Sequence, residues 1–346
     1  MSLCLCVKEE PNIIELMKIL KIALATAGVF AVVWIASIVL AKQYTWWVYD
    51  NRLGLAVPRQ GSSVFQMTEG FAVSHYAEFG FNACLPYESN SRFILLHGDS
   101  YIEAFQLPDA RKPDAVLSRM LGDGVRVHAI GRSGAGLPSM ILRAIDYERV
   151  LGVPEAHVFF VASGIRNDLF QDTGGSVRVE GGFSKTPIEG HVTGMSGFRN
   201  KLFFNFVTAM NKIWRDMRNI KKREISKDKD EAQQDVDSEM RHIRGFMNKS
   251  LKGRCIVVYC PNLPRIENGI VLFDDPDADD AAIVKNVMSG DDFIDVTPAL
   301  VECYKHGFFA RGFDNLGGPC NGHLNGHGVE FVFSYIAKVL KERYGL

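Results

Sequence analysis

The sequence predicts an α/β fold in which a parallel β-sheet is covered by helices on both faces. Five short apolar runs, rich in β-branched and aromatic residues, have the length of strands and alternate with helical patterns. These runs lie at residues 92–96, 125–129, 158–162, 255–260 and 293–296. Because they lack the polar alternation of a half-exposed strand, we expect a five-stranded parallel sheet buried in a three-layer sandwich.

The helical patterns fall between these runs, and one insertion interrupts the alternation. The patterns lie at residues 114–121, 138–150, 232–251 and 278–288, with a last amphipathic helix at about 326–344. Residues 170–230 are rich in glycine and charge, with a helical pattern at 200–220 and a mixed-charge run at 218–231. We therefore expect one domain at 91–346 with an insertion at about 170–250, in which the charged run is a solvated helix or a mobile arm.

Composition excludes several classes of function. The 346 residues carry a net charge of −1, which lacks the basic surface that nucleic-acid binding needs. No cysteine spacing resembles a zinc site, and the aspartate-rich run at 274–280 lacks the pattern of a calcium loop, so we expect no metal and no cofactor. Seven cysteines do not make a disulfide scaffold. Cys303 and Cys320 fit either a disulfide or two buried free thiols.

The N-terminal part predicts a membrane anchor. Residues 22–41 contain no charge and match the roughly 20 residues that span a bilayer. Lys18 and Lys21 precede this run and Trp47 follows it, which predicts a cytoplasmic segment at 1–21 and a domain outside the cytoplasmic membrane. Cleavage after Ala41 is the alternative to an uncleaved single-pass anchor. Residues 42–90 then form a linker and packing segment.

A serine and a histidine at opposite ends of the predicted domain are candidates for catalysis. Ser100 follows Gly98-Asp99 directly after the first strand, where glycine lets the chain turn sharply. His323 lies in a glycine-rich loop just before the last helix, which Asn325 can cap. A hydroxyl and an imidazole in these positions predict acyl transfer, with Ser100 as nucleophile and His323 as general base.

The ends of the next two strands offer hydrogen-bond donors. Gly134 lies in a glycine-rich turn after the second strand and can bring its N–H close to a substrate oxygen. Asn167 follows the third strand, and its amide can donate to an oxyanion. Asp168 is expected to cap that turn. Arg166 fits either an anionic substrate or a pair with a neighbouring carboxylate, and the residues do not decide between them.

Taken in order, these motifs resemble the four blocks of the SGNH/GDSL hydrolase superfamily. The matching segments are 98–100, 131–136, 164–168 and 322–325. The resemblance covers residues 91–346 and implies a flavodoxin-like five-stranded parallel sheet, nucleophile Ser100, base His323, and an oxyanion hole made by Ser100 N–H, Gly134 and Asn167.

Two departures from the family pattern affect the site. The third block carries one inserted residue, and Asn321 stands where the family has an aspartate before the histidine. Asn321 or Asp314 is therefore the expected orienter of His323, or the pair acts as a Ser–His dyad.

The expected function is serine-dependent hydrolysis of an ester, with an acylated glycan or a lipid-like ester as substrate and the bilayer as partner through residues 22–41. Two alternatives remain open. One is an O-acetyltransferase that acts on cell-envelope or exported polysaccharide through the same acyl-enzyme. The other is a non-catalytic module of the same fold that binds glycans.

Overall fold

The structure is a computed structural model. It describes residues 13–40, 47–66, 72–82, 91–162, 164–170, 176–179, 182–185, 235–290, 292–312, 320 and 322–346. The chain divides into two compact units, residues 1–43 and 44–346. The predicted helix at 200–220, the charged run at 218–231 and the predicted orienters Asn321 and Asp314 lie outside the described residues.

The first unit contains one helix, α1, at Ile13–Leu40. Its described side chains, such as Leu20, Ile22 and Phe30, are exposed. Within the part of the chain that the structure describes, we find no helix with the length and apolar character that crossing a bilayer requires. The anchor predicted over residues 22–41 is thus not confirmed.

The second unit contains the sheet predicted from the sequence. In chain order its strands are β1 Trp47–Asp50, β2 Leu55–Pro58, β3 Ser63–Gln66, β4 Ala72–His75, β5 Phe93–Gly98, β6 Arg126–Gly131, β7 Ala156–Val161, β8 Ser176–Val179, β9 Gly182–Lys185, β10 Arg254–Tyr259, β11 Arg265–Glu267, β12 Ile270–Leu272 and β13 Phe293–Asp295. Five of them form a parallel sheet in the order β13-β10-β7-β5-β6. The other described strands pair as two-stranded antiparallel ribbons.

Helices cover both faces of the sheet. They are α2 Ser100–Glu103, α3 Pro113–Leu121, α4 Leu137–Leu151, α5 Ile165–Phe170, α6 Val236–Ser250, α7 Ala278–Val287, α8 Thr297–Lys305 and α9 Gly326–Tyr344. One buried cluster joins the sheet to α3, α8 and α9, and a second joins its other face to α4, α5, α6 and α7. The predicted three-layer α/β fold with a five-stranded parallel sheet is confirmed.

The segment at 42–90 contributes more than a linker to this unit. Its ribbons β1–β2 and β3–β4 belong to the unit, and Leu53, Val57 and Phe81 pack with Leu95 and Tyr147 in a third buried cluster. This cluster joins the hairpin β1–β2 and helix α4 to β5. The strand that precedes Ser100, β5, is buried over its whole length.

The strand order determines where a ligand can bind. The chain leaves β5 for β6 on one side and continues to β7 on the other, so β5 and β7 flank a topological switch point. In open parallel sheets such a switch leaves a crevice outside the carboxyl ends of the strands, where ligands bind. Ser100 begins α2 immediately after β5, at the carboxyl end of this strand.

Two cysteines that fit a disulfide are separate in the fold. Cys303 and Cys320 are both buried free thiols. Of the two alternatives that the sequence left open, the structure has the free thiols.

Candidate active site

A sharp turn after β5 presents Ser100. Asp99 precedes α2 and its carboxylate accepts a hydrogen bond from the Tyr101 N–H at 2.9 Å. At Gly98 a Cβ would lie 2.1 Å from Cγ1 of Ile102, so only glycine lets the first turn of α2 pack back on the end of the strand. This close packing directs the Ser100 side chain away from the sheet, where it is only partly buried.

The structure brings Ser100 and His323 together across 223 residues of sequence. Nε2 of His323 lies 2.6 Å from Oγ of Ser100. This distance is within the range that a general base needs to accept the proton of a nucleophilic hydroxyl. His323 is also only partly buried, so a ligand can reach both groups.

Hydrogen bonds to the segment after α8 hold the His323 loop. The Gly312 N–H donates to the carbonyl of His323 at 2.7 Å, and the Asn325 N–H donates to that of Ala310 at 2.9 Å. The Asn325 side chain caps α9, since its oxygen accepts from the N–H groups of His327 and Gly328 at 3.0 Å each. These bonds fix both the backbone of the His323 loop and the first turn of α9, next to the imidazole.

The two predicted donors lie after the strands that flank β5. Gly134 follows β6 with φ +77°, a left-handed conformation that favours glycine. Asn167 lies in α5, which follows β7, and the carboxylate of Asp168 accepts from the Ala162 N–H at 3.1 Å, as expected of a turn cap. Because β6, β5 and β7 are neighbours in the sheet, Gly134, Ser100 and Asn167 all follow carboxyl ends at one edge.

Arg166 pairs with a carboxylate. Its Nε lies 2.8 Å from one oxygen of Asp280, and its Nη2 donates to the other oxygen at 2.9 Å. Such two-pronged pairing holds the guanidinium firmly. Of the two alternatives for Arg166, the structure has the neighbouring carboxylate.

Among the described residues, no group of three metal-ligating side chains comes together.

Sequence reasoning missed Glu103, which lies beside the predicted oxyanion loop. Glu103 is buried, and one of its carboxylate oxygens accepts a short hydrogen bond from the hydroxyl of Ser133, the residue before Gly134. Burial raises the pKa of Glu103 to about 7, although the hydrogen bond from Ser133 opposes the shift. A lone glutamate five residues after a strand carries no sequence signal for such a contact.

Asn82 and Lys112 were also missed, and they support the same edge. The side-chain oxygen of Asn82 accepts from the Gly131 N–H at 2.9 Å at the end of β6. Lys112 is fully buried and donates to the Asn82 carbonyl at 2.9 Å. Both residues come from segments outside the four sequence blocks, so only the tertiary fold shows that they hold the glycine-rich turn.

The described residues form a three-layer α/β sandwich in which Ser100 follows the first strand of the parallel sheet and His323 precedes the last helix. No family model matches the chain, and no curated protein matches it.

Several solved structures are similar to the chain at low identity. A carbohydrate acetylesterase family member from Sinorhizobium meliloti is 14% identical, with a TM-score of 0.38, over 74% of this chain and 100% of that one. A member of the lipolytic protein G-D-S-L family from Veillonella parvula DSM 2008 is 12% identical, with a TM-score of 0.39, over 74% and 99%. The native M. smegmatis aryl esterase is 12% identical, with a TM-score of 0.36, over 73% and 100%.

Proposed function

We propose that the protein is a serine-dependent esterase that works through an acyl-enzyme on Ser100. The observation that carries this proposal is the 2.6 Å contact between Nε2 of His323 and Oγ of Ser100 at the switch point of the sheet. A buried structural hydrogen bond would give the same distance. However, both side chains remain partly exposed, which a nucleophile and its base require.

The first half-reaction forms the acyl-enzyme. Oγ of Ser100 attacks the ester carbonyl carbon while Nε2 of His323 accepts the hydroxyl proton. The carbonyl oxygen becomes an oxyanion, which accepts hydrogen bonds from the N–H groups of Ser100 and Gly134 and from the amide of Asn167. Collapse of this intermediate breaks the bond to the alcohol, which leaves with the proton from His323.

The second half-reaction releases the acid. Water attacks the acyl carbon while Nε2 of His323 accepts its proton, and the second intermediate collapses with return of that proton to Oγ of Ser100. A sugar hydroxyl in place of water would complete an acyl transfer by the same steps. The imidazolium formed in each half-reaction needs a partner on Nδ1, for which Asn321 and Asp314 remain the predicted candidates.

The substrate class follows from the resemblance alone. An acylated glycan or a lipid-like ester therefore stays a prediction, as does action outside the cytoplasmic membrane.

Turnover of p-nitrophenyl acetate tests the proposal. Wild-type protein should release p-nitrophenol, and Ser100→Ala should lose activity by several orders of magnitude while keeping its thermal unfolding transition; the loss in a well-studied serine protease is about 10⁶-fold. Equal rates in wild type and Ser100→Ala would rule the proposal out. If wild type turns over, a parallel reaction with an acceptor oligosaccharide distinguishes the transferase, because acetylated oligosaccharide would then replace free acetate.

A further inference from the structure

A buried arginine lies beside the Ser100–His323 pair. Arg311 is 1% exposed and is the largest of the fully buried side chains among the described residues. Its Nη2 donates to the Pro261 carbonyl at 2.8 Å, and its Nη1 donates to the Gly322 carbonyl at 3.2 Å and to the hydroxyl of Tyr101. Its Nε has no hydrogen-bond partner in the described part of the chain.

The hydrogen-bond acceptors of Arg311 among the described residues are uncharged. Within the residues that the structure describes, no carboxylate forms an ion pair with Arg311, and its acceptors are two carbonyls and a phenol. An unpaired buried cation is costly, and well-packed apolar side chains often stabilise such a position better. Within the described residues, Arg311 is therefore held by hydrogen bonds to neutral acceptors.

The acceptors of Arg311 flank the two reacting groups. Tyr101 follows Ser100 in sequence, and Gly322 precedes His323. The Tyr101 hydroxyl also donates to the Gly322 carbonyl at 3.3 Å, and its ring lies 4.8 Å from the imidazole of His323 at 52°. One guanidinium thus joins the residue next to the nucleophile and the residue next to the base.

The third acceptor connects this group to the sheet. Pro261 follows β10, an interior strand of the sheet, so its carbonyl provides a fixed point for Nη2 of Arg311. The planar fork of a guanidinium can hold several acceptors in fixed directions, which an ammonium cannot. Arg311 is therefore suited to fix both flanks of the site relative to a rigid strand.

We infer that Arg311 is a positioning residue that holds the His323 loop at hydrogen-bond distance from Ser100, with the hydroxyl of Tyr101 as its link. The inference rests on the proposed function. It assigns to Arg311 and Tyr101 a role in kcat through geometry, not in substrate binding, because neither is required to touch the ester.

The test compares kcat and KM for p-nitrophenyl acetate in Arg311→Met, Arg311→Lys, Tyr101→Phe and their combinations. Arg311→Met should lower kcat by about 100-fold with little change in KM, since a 1 Å misplacement costs about that much. Arg311→Lys should recover part of this loss. Tyr101→Phe, which keeps the ring and removes only the hydroxyl, should lower kcat by about fivefold to tenfold. Arg241→Met, at an exposed arginine on α6, should behave as wild type.

The kcat of the double variant distinguishes a positioning role from a general loss of stability. If both side chains act through one network, Tyr101→Phe should cost much less in the Arg311→Met background than alone. Added guanidinium ion should also restore part of kcat in Arg311→Ala, which a merely loosened fold would not allow.

Three outcomes decide against the inference. Wild-type kcat in a folded Arg311→Met protein overturns it while leaving the proposed function intact. If Arg311→Met does not fold, wild-type kcat in Tyr101→Phe overturns it instead. Absence of Ser100-dependent turnover in wild type overturns the proposed function and this inference together.

Discussion

Glu103 and Ser133 are hydrogen-bonded to each other, and this contact joins the helix that begins with Ser100 to the loop that carries Gly134. Burial raises the pKa of the Glu103 carboxyl to about 7; the bond from Ser133 opposes the shift, Asp99 adds to it, and Arg132 opposes it. The carboxyl therefore changes its charge near neutral pH inside the fold.

This pKa predicts a fall in stability as the pH rises. Between pH 4.5, the ordinary pKa of the group, and pH 7, the folded protein keeps a proton that the unfolded chain has lost, so unfolding becomes easier. Glu103→Gln keeps a hydrogen-bonding side chain without the charge. We expect the unfolding free energy of Glu103→Gln minus that of wild type, measured with urea, to increase by up to about 3 kcal/mol as the pH rises from 4.5 to 8.

Asp114 has the same sign of shift, because burial raises its pKa to about 7. It is present in both proteins, so the difference between wild type and Glu103→Gln isolates Glu103. Parallel stability curves would show that Glu103 is not protonated in the folded state.

Gly131, at the end of β6, allows close contact with α2. A Cβ at this position would lie 2.2 Å from the backbone nitrogen of Glu103, a contact that side-chain movement cannot relieve. Gly131→Ala should therefore displace α2 or unfold the domain, costing about 1–3 kcal/mol of stability and most of the esterase activity. At Gly124 a Cβ would meet nothing within 4 Å, which makes Gly124→Ala the matched control. Thermal unfolding and ester turnover of both variants check this, and equal behaviour would contradict the packing described.

His97, at the penultimate position of β5, makes the protein sensitive to acid. Its Nε2 lies 3.1 Å from Nδ1 of His157, whose Nε2 lies 2.8 Å from the Glu148 carboxylate. Burial lowers the pKa of His97 well below 6.5, and the neighbouring His157 lowers it further. The folded protein thus excludes a proton that the unfolded chain binds, and stability is lost as the pH falls below about 6.5.

A variant measures this contribution of His97. His97→Phe should reduce the slope of unfolding free energy against pH by about 1.4 kcal/mol per pH unit between pH 6 and pH 5. At pH 7 it should be less stable than wild type, because His157 loses a hydrogen-bond partner. An unchanged slope would mean that His97 takes up a proton in the folded state.

Asn325 supports His323 through four hydrogen bonds. Besides the two bonds that cap α9, its Nδ2 donates to the carbonyls of Phe309 and Arg311 at 2.7 and 3.0 Å. Asn325→Ala should lower the free energy of unfolding by about 2 kcal/mol. Asn286→Ala, at an exposed position of α7, is the control and should lie within about 0.5 kcal/mol of wild type. If chemical denaturation gives the same loss of unfolding free energy for Asn325→Ala and Asn286→Ala, the Asn325 side chain does not hold the loop.

The sheet could be predicted from the sequence because its strands are buried on both faces. A short, continuous apolar run such as the one that forms β7 is typical of a buried strand. The observed bounds of β7 differ from the predicted ones by only a few residues. Helix α8 was missed, although Pro298 lies in its first turn, where proline is tolerated.

The contacts that surround the reacting pair could not be predicted. Ser100 and His323 follow from short motifs, because each motif lies at the end of an element that the pattern locates. The bonds of Arg311 to Pro261, of Lys112 to Asn82 and of Asn82 to Gly131 have no such local signal, because each involves a backbone group that the tertiary fold brings near. The hairpin formed by β1 and β2 was missed for a similar reason, since its apolar side chains find their partners on β5 only in the tertiary fold.

Labelling with a fluorophosphonate, followed by peptide mass spectrometry, tests the central claim most directly. If Ser100 is a nucleophile activated by His323, wild-type protein should gain one phosphonyl group on Ser100. His323→Ala should react far more slowly, and Ser133→Ala, at a nearby hydroxyl, should still be labelled. Absence of label on Ser100 in folded wild-type protein, or equal labelling rates in wild type and His323→Ala, would contradict the account.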